Sequence, residues 1–329
     1  MPAPPLTISV PDDFPSVFAG SAAHERAKKL GEVQVVTARG ADDEAELIKR
    51  IGRARVAINI RAHARFTDGV FAACRELKLV SVWGTGTDNI DLDAAGRRGV
   101  TVCNTPGVNA FAVAEHAIAL MLTIGRKIPR IDREMRGGAW PRELLTQCLG
   151  KTLGVFGTGT IGARVITLAR ALGMDVLAWS ARGDESHVRS LGARAAAKEE
   201  ILREADFVSL HCPLTPETRG LMNAATLAKM KPTAVLVNTS RGPVVDQAAL
   251  YDVLSSGRLF AAALDVTDPE PLPPDAPLLR LDNCLVVPHI ASASRQTRQR
   301  MSVMAAENLI AGLKGERLPN CANPEVYRK

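Results

Sequence analysis

The chain has 329 residues, more than one ordinary hydrophobic core accommodates and about right for two. Its 46% hydrophobic and 23% charged residues are those of a soluble globular protein, and at 4% aromatics its cores must be built from aliphatic side chains. A formal charge of +6 spread over this length makes no case for nucleic acid, and the densest basic run (Arg295, Arg298, Arg300) reads as a solvated helix face.

From the N-terminus, "MPAPPLTISV" lacks the charged and long apolar regions of a secretion signal. The runs "LTISV", "VQVVT", "VAINI", "KLVSVW" and "VTVCN" read as strands. Between them lie helical segments such as "ADDEAELIKRIG", where Leu47, Ile48 and Ile51 recur at helical spacing. One long helix is expected over about 110–136, followed by an irregular connection, "GGAWPRELLTQCLGK". The helix is interrupted by Glu115 and His116, and its apolar stretch is too short and polar to span a bilayer. A second series of strands follows: "LGVFG", "MDVLAW", "DFVSLH", "AVLVNT", "FAAALDV" and "CLVVPH". These are almost continuously apolar, as central parallel strands covered on both faces must be. A last long helix is expected over about 296–314.

Alternating strands and helices predict an α/β protein with two parallel-sheet, Rossmann-like domains. Because the last helix follows the second series, the first domain is expected to be discontinuous: residues 1–104 plus 296–329 (flavodoxin-like, completed by the C-terminal helix), with 105–295 forming the second. Six cysteines, at 74, 103, 148, 212, 284 and 321, form no CxxC pair or zinc set, so free thiols in a reducing cytoplasm and no metal are expected.

The second series opens on "VFGTGTIG", a GxGxxG of Gly157, Gly159 and Gly162 between a strand and a helix. Each glycine serves a different need. Gly157 permits the tight turn, Gly159 the close approach of a pyrophosphate to the backbone, and Gly162 the contact of helix on strand. Thr158, Thr160 and Ile161 complete the turn, and the helix N-terminus offers free N–H groups to phosphates. "WSAR", whose Ser180 lies eighteen residues after Gly162, closes the next strand. An NAD site usually carries an acidic residue there, against the ribose hydroxyls. Here Ser180 removes that negative charge, and Arg182 is close enough in sequence to meet a 2′-phosphate, so NADP is preferred over NAD as the expected cofactor. Asp184 or Glu185 could instead fold back to serve NAD.

The order and spacing of "VFGTGTIG", "VSLHCPLTPETRG", "VNTSRGPVVD", "AALDVTDPEPLP" and "VVPHIASAS" resemble the D-isomer-specific 2-hydroxyacid dehydrogenase family. The resemblance continues into the first domain through "WGTGTDNIDLDAAGRRGVTVCNTPGVNAFAVAEHAIALML", and the C-terminal run looks most like the glyoxylate/hydroxypyruvate reductase branch. It implies a first domain that binds substrate, a second that binds the dinucleotide, and a catalytic set of Arg241 (substrate), Glu270 and His289 (acid–base). It further implies substrate contacts from Thr85 and Gly86 in "WGTG" and from Arg61, and cofactor-lining positions at His211, Pro213, Thr239, Ser240 and Asp265. Where the family often has a second arginine after Arg61 this chain has His63, and where it usually has Ser or Thr this chain has Ala112.

That set suits the reduction of a 2-keto acid. A histidinium can deliver a proton at neutral pH, a carboxylate on its other ring nitrogen favours the charged form, and an arginine fork matches a carboxylate. The implied activity is reduction of glyoxylate or hydroxypyruvate; phosphoglycerate-type oxidation and a non-catalytic dinucleotide sensor of corepressor type are the alternatives. The apolar helix "AFAVAEHAIALMLTI" and the resemblance together predict a homodimer, in which a tryptophan matching Trp140 reaches the partner's pocket.

Overall fold

Short strands alternate with helices throughout the computed structural model, which describes residues 6–60 and 64–328. The first five strands are β1 (Thr7–Val10), β2 (Glu32–Val35), β3 (Val56–Asn59), β4 (Leu79–Val82) and β5 (Thr101–Cys103). The second series comprises β6 (Thr152–Phe156), β7 (Asp175–Trp179), β8 (Arg194–Ala195), β9 (Phe207–Leu210), β10 (Val235–Asn238), β11 (Ala261–Leu264) and β12 (Cys284–Val286). All named pairings are parallel.

The chain divides into two compact units, Met1–Asn109 with Arg295–Lys329, and Ala110–Ser294. The first junction falls at 109/110 rather than 104/105. Residues 104–109 stay with the first unit because they bond back to it: Asn104 Nδ2 donates to Thr85 O (2.7 Å), and Thr105 N to Gly84 O (2.9 Å). The first unit has the sheet order β2-β1-β3-β4-β5, the flavodoxin-like winding. Its cores lie on both faces. One includes Leu47, Phe66, Val80 and Val102; the other includes Ile8, Val10 and Leu79 with Met301, Ala305 and Leu309 of the C-terminal helix Arg295–Leu313. That helix therefore completes a core that β1 begins at the opposite end of the chain.

The second unit has the order β12-β11-β10-β9-β6-β7-β8. β9, β10 and β11 are wholly buried, which explains their unbroken apolar sequences. Neighbouring strands end in one row: Val286, Leu264, Asn238, Leu210, Phe156 and Trp179 are successive Cα partners across six strands. Every chain segment leaving that row emerges on the same rim. The order reverses between β6 and β9, the switch point where such sheets take ligands.

Two further expectations needed correction. The single helix over 110–136 is two, Ala110–Gly125 and Ile128–Arg136. Lys127 takes a left-handed φ of 51° between them, and Pro129, in the first turn of the second helix, lacks the N–H that would continue the first. The two-residue strand β8 was not anticipated, being too short to show a period. The irregular segment after Arg136 is free of helix and strand as far as β6.

Candidate active site

The rim of the second unit carries, one residue beyond its aligned row, Gly157, Ser180, His211, Thr239 and Asp265. The glycine turn is sterically committed. Gly157 has φ +102°, and a Cβ there would stand 2.7 Å from Cys212 N. A Cβ on Gly162 would lie 1.9 Å from Gly157 O, so the helix Thr160–Ala171 can approach the strand only without one. Gly159 faces open space, with nothing within 4 Å of its would-be Cβ. Two glycines packed against backbone and a third against nothing, at a helix N-terminus, fit a diphosphate cradle.

Ser180 is half-buried at the exit of β7, and Arg182 is exposed, with no hydrogen bond or ion pair to any described residue. The two acids that could have served a ribose are engaged elsewhere. Asp184 caps the short helix Glu185–Ser190, accepting from His187 N (2.9 Å) and Ser186 Oγ (2.8 Å). Glu185 pairs with Arg189 at 3.0 Å. From that helix His187 Nε2 reaches Thr158 O (3.0 Å); a carbonyl only accepts, so this nitrogen carries the proton.

His211, in the middle of the rim, is held by Ser209 Oγ (2.8 Å) and faces Thr239 Oγ1 (3.4 Å). Burial pushes its imidazole down to about 4, so it is neutral at physiological pH and cannot supply a proton. Pro213 follows, its carbonyl accepting from Thr218 Oγ1 (2.6 Å).

The charged half of the rim lies beyond β10, β11 and β12. Asn238 organises the first turn, accepting from Ser240 N (3.0 Å) and Ser240 Oγ (2.8 Å) and donating to Arg241 O (2.9 Å). The half-buried Arg241 also donates to Ser240 O (2.8 Å). Behind it Gly242 packs on the next loop, where a Cβ would stand 1.9 Å from Thr267 O. In that loop Glu270 uses both oxygens: Oε1 accepts from Thr267 N (3.1 Å), and Oε2 lies 3.0 Å from His289 Nδ1. Glu270 is thus aimed by its own loop before it meets the histidine.

His289 sits in a left-handed conformation (φ 51°), which a non-glycine residue adopts only when its surroundings impose it. Asp265 imposes it. Asp265 O accepts from His289 N (2.8 Å), and its buried carboxylate accepts from Ile290 N (2.7 Å) and Ala291 N (3.1 Å). Burial works to raise the Asp265 carboxyl, but His116, those amides and His289 outweigh it and hold it below its ordinary value. His116 Nε2 stands 3.4 Å from Asp265 Oδ1 without hydrogen-bond alignment. Burial likewise works to lower the His289 imidazole. The Glu270 bond and the Glu270 and Asp265 charges outweigh burial and the opposing charge of Arg241, and raise it above its ordinary value. Its side chain is 41% exposed, and its Nε2 bonds to no described residue. An imidazole held toward its charged form, with one edge fixed and the other open, has the arrangement that a general acid needs.

Arg241, Glu270 and His289, which the sequence singled out, are thus coupled through bonds and fields. Asp265 acts here on the His289 turn, a role the sequence did not suggest. Asn238, Ser209 and Thr267 were also passed over. Asn238 alone had a visible signal, an amide side chain at the end of an apolar strand. Thr85 (exposed) and Gly86 (half-buried) lie in the other unit, and Arg61 falls outside the described residues.

Known proteins resemble this one over much of its length. The profile of the "D-isomer specific 2-hydroxyacid dehydrogenase, NAD binding domain" matches residues 118–291. A glyoxylate reductase of Korarchaeum cryptofilum is 46% identical over 265 residues, 79% of this chain and 80% of that one. A D-3-phosphoglycerate dehydrogenase of Archaeoglobus fulgidus is 38% identical over 294 residues; these are 89% of this chain but 55% of the relative. Among solved structures, an acyclic imino acid reductase in complex with NADPH and D-Arg superposes with a TM-score of 0.86 at 28% identity, covering 96% of this chain and 99% of the other.

Proposed function

Since the chain belongs to the D-isomer-specific 2-hydroxyacid dehydrogenases, nicotinamide-dependent oxidoreductases, we propose that it reduces a small 2-keto acid, glyoxylate or hydroxypyruvate, to the 2-hydroxy acid. The observation that carries this reading is the His289–Glu270 pair, with an imidazole held toward its charged form and an open Nε2. A nicotinamide, when bound, would supply the hydride. His289 Nε2 gives the proton to the carbonyl oxygen of the substrate, and Glu270 keeps Nδ1–H as the fixed edge. Arg241 binds the substrate carboxylate and polarises the carbonyl; a planar, permanently charged fork suits both roles. To these the family resemblance adds Thr85 and Gly86, through their backbone N–H groups, and Arg61 as substrate-binding residues. Gly157, Thr158, Gly159, Thr160, Ile161 and Gly162 hold the diphosphate, with His211, Pro213, Thr239, Ser240 and Asp265 along the rim.

NADPH is the preferred donor in this proposal. The support is that Ser180 brings no negative charge, Arg182 is exposed, and Asp184 and Glu185 are engaged by their own helix. Phosphoglycerate oxidation is the second reading, favoured by the 38% identity to such an enzyme. Initial rates on glyoxylate, hydroxypyruvate, pyruvate, 3-phosphohydroxypyruvate and bulkier 2-keto acids, each with NADH and NADPH, decide between them. Tight dinucleotide binding without turnover of any would point to a sensor instead.

The proposed assembly is a homodimer. The helix Ala110–Gly125 supports it less than its sequence promised. Val113, Ala117, Leu120, Met121 and Ile124 are already buried within the protomer, most of them in the unit's own core. The helix leaves Phe111 49% exposed, and the most exposed apolar side chains lie on the irregular segment, where Trp140 is 75% exposed, Leu144 100% and Leu149 64%. A second copy of this chain is the proposed cover. Light scattering at micromolar concentration is expected to give twice the chain mass, and a monomer defeats the proposal.

A further inference from the structure

Asn308 lies in the C-terminal helix Arg295–Leu313 and is fully buried, among Ala305, Leu309 and Ala311. An amide buried in an apolar helix face costs free energy unless it is bonded, so its partners show what it serves. Asn308 Nδ2 donates to Asn104 O (3.0 Å), 204 residues away. Asn308 Oδ1 accepts a long bond from Asn320 Nδ2 (3.4 Å). Asn104 stands just past the end of the edge strand β5, and its own side chain donates to Thr85 O (2.7 Å). Next to it, Thr105 N and Thr105 Oγ1 both donate to Gly84 O (2.9 and 3.2 Å). Thr85 Oγ1 returns the contact, donating to Thr105 O (3.4 Å) and Asn109 Oδ1 (3.2 Å).

The chain leaving β5 is therefore a splint under the Gly84–Thr85–Gly86 loop, and Asn308 fixes the splint. The C-terminal segment holds its other side. Asn104 N donates to Asn320 O (3.2 Å), and Asn323, also buried, accepts from Val102 N (2.8 Å) and donates to Val100 O (2.9 Å). With both carbonyls of Gly84 and Thr85 tied down, the direction of the following N–H groups is set. A loop that binds a carboxylate through backbone N–H groups has no other means of aiming them.

We infer that Asn308 is a positioning residue for the substrate loop, acting through Asn104 on Thr85. The inference rests on the proposed function of that loop, so its test has one arm without turnover. Asn308→Leu keeps the volume and removes the bonds, and Asn104→Ala removes the next link while sparing the helix. In the full-length protein, each is expected to speed amide hydrogen exchange in the peptide spanning residues 84–88 by about tenfold, with exchange in β9–β11 unchanged. In kinetics with the best substrate of the keto-acid panel, each is expected to raise KM about tenfold while the dinucleotide Kd stays within about twofold. The effect of the double variant should be less than the sum of the two single ones, because they share the Asn104–Thr85 link. A lower Tm with unchanged loop exchange and KM would make Asn308 a packing residue and overturn the inference. If loop exchange rises while substrate KM does not move, the splint is real but the loop does not aim the substrate, and the inference fails there. If Asn308→Leu does not fold, Asn308→Ala, which also removes both side-chain bonds, carries both arms with the same outcomes. Faster loop exchange in a protein that turns over no keto acid supports the splint and refutes only the proposed activity.

Discussion

The two halves of the second unit's rim are built by opposite means. Beyond β6 the working parts are backbone: Gly157 and Gly162 exist to be small, and a Cβ at either would meet main-chain atoms at 2.7 and 1.9 Å. Beyond β10–β12 the working parts are charged side chains, each held by a second group. Asn238 holds the Arg241 turn, Thr267 holds Glu270, and Asp265 holds the His289 turn. A diphosphate needs many N–H groups and no obstruction. A proton transfer needs one group in one orientation with its charge already biased. The first half should thus respond to added bulk, the second to lost charge.

The largest expected effect tests the charged half. His289→Gln should lower kcat roughly 10²–10⁴-fold by removing the proton donor, while dinucleotide affinity stays near normal because the glycine turn is untouched. Near-normal kcat would end the acid–base assignment. The converse variant is Gly162→Ala. Its methyl has no space against Gly157 O, so dinucleotide affinity measured by fluorescence titration should fall by about tenfold or more, with a lower Tm. Unchanged affinity would mean that the turn does not hold the diphosphate.

Ser180→Asp combined with Arg182→Ala should reverse a preference for NADPH. Each charge-assisted contact with a 2′-phosphate contributes about 1.5–3 kcal/mol, roughly ten- to a hundredfold in the kcat/KM ratio. A ratio that Arg182→Ala leaves untouched would separate "WSAR" from phosphate reading. The mildest variant is Glu270→Gln. Glu270 raises His289 against burial and Arg241, so without its charge the imidazole gives up its proton at lower pH. The alkaline limb of the kcat/KM profile for reduction should move to lower pH, while the plateau below it keeps most of its height. A limb that does not move would show that Glu270 only orients the ring.

Local patterns in the sequence reached as far as local physics goes. Short β-rich runs located all the described strands except β8, and they were plainest in β9, β10 and β11, because a strand buried on both faces must be apolar along almost its whole length. The GxGxxG turn was legible because its constraint is confined to a short stretch, and the resemblance named Arg241, Glu270 and His289 before any distance was known. The break at Lys127 was missed, although Pro129 marked it, because the apolar period runs across it. What no local pattern could show was which distant group holds which residue. Asp265 bonds amides 25 and 26 positions on, and Asn308 bonds a carbonyl 204 positions back. The sequence determined which chemistry the chain carries, because side-chain type and short spacing are written in it. The tertiary structure decided the orientation, the proton affinity and the support of each group, because those depend on partners that only the parallel winding of the sheets and the return of the C-terminal helix bring within bonding distance.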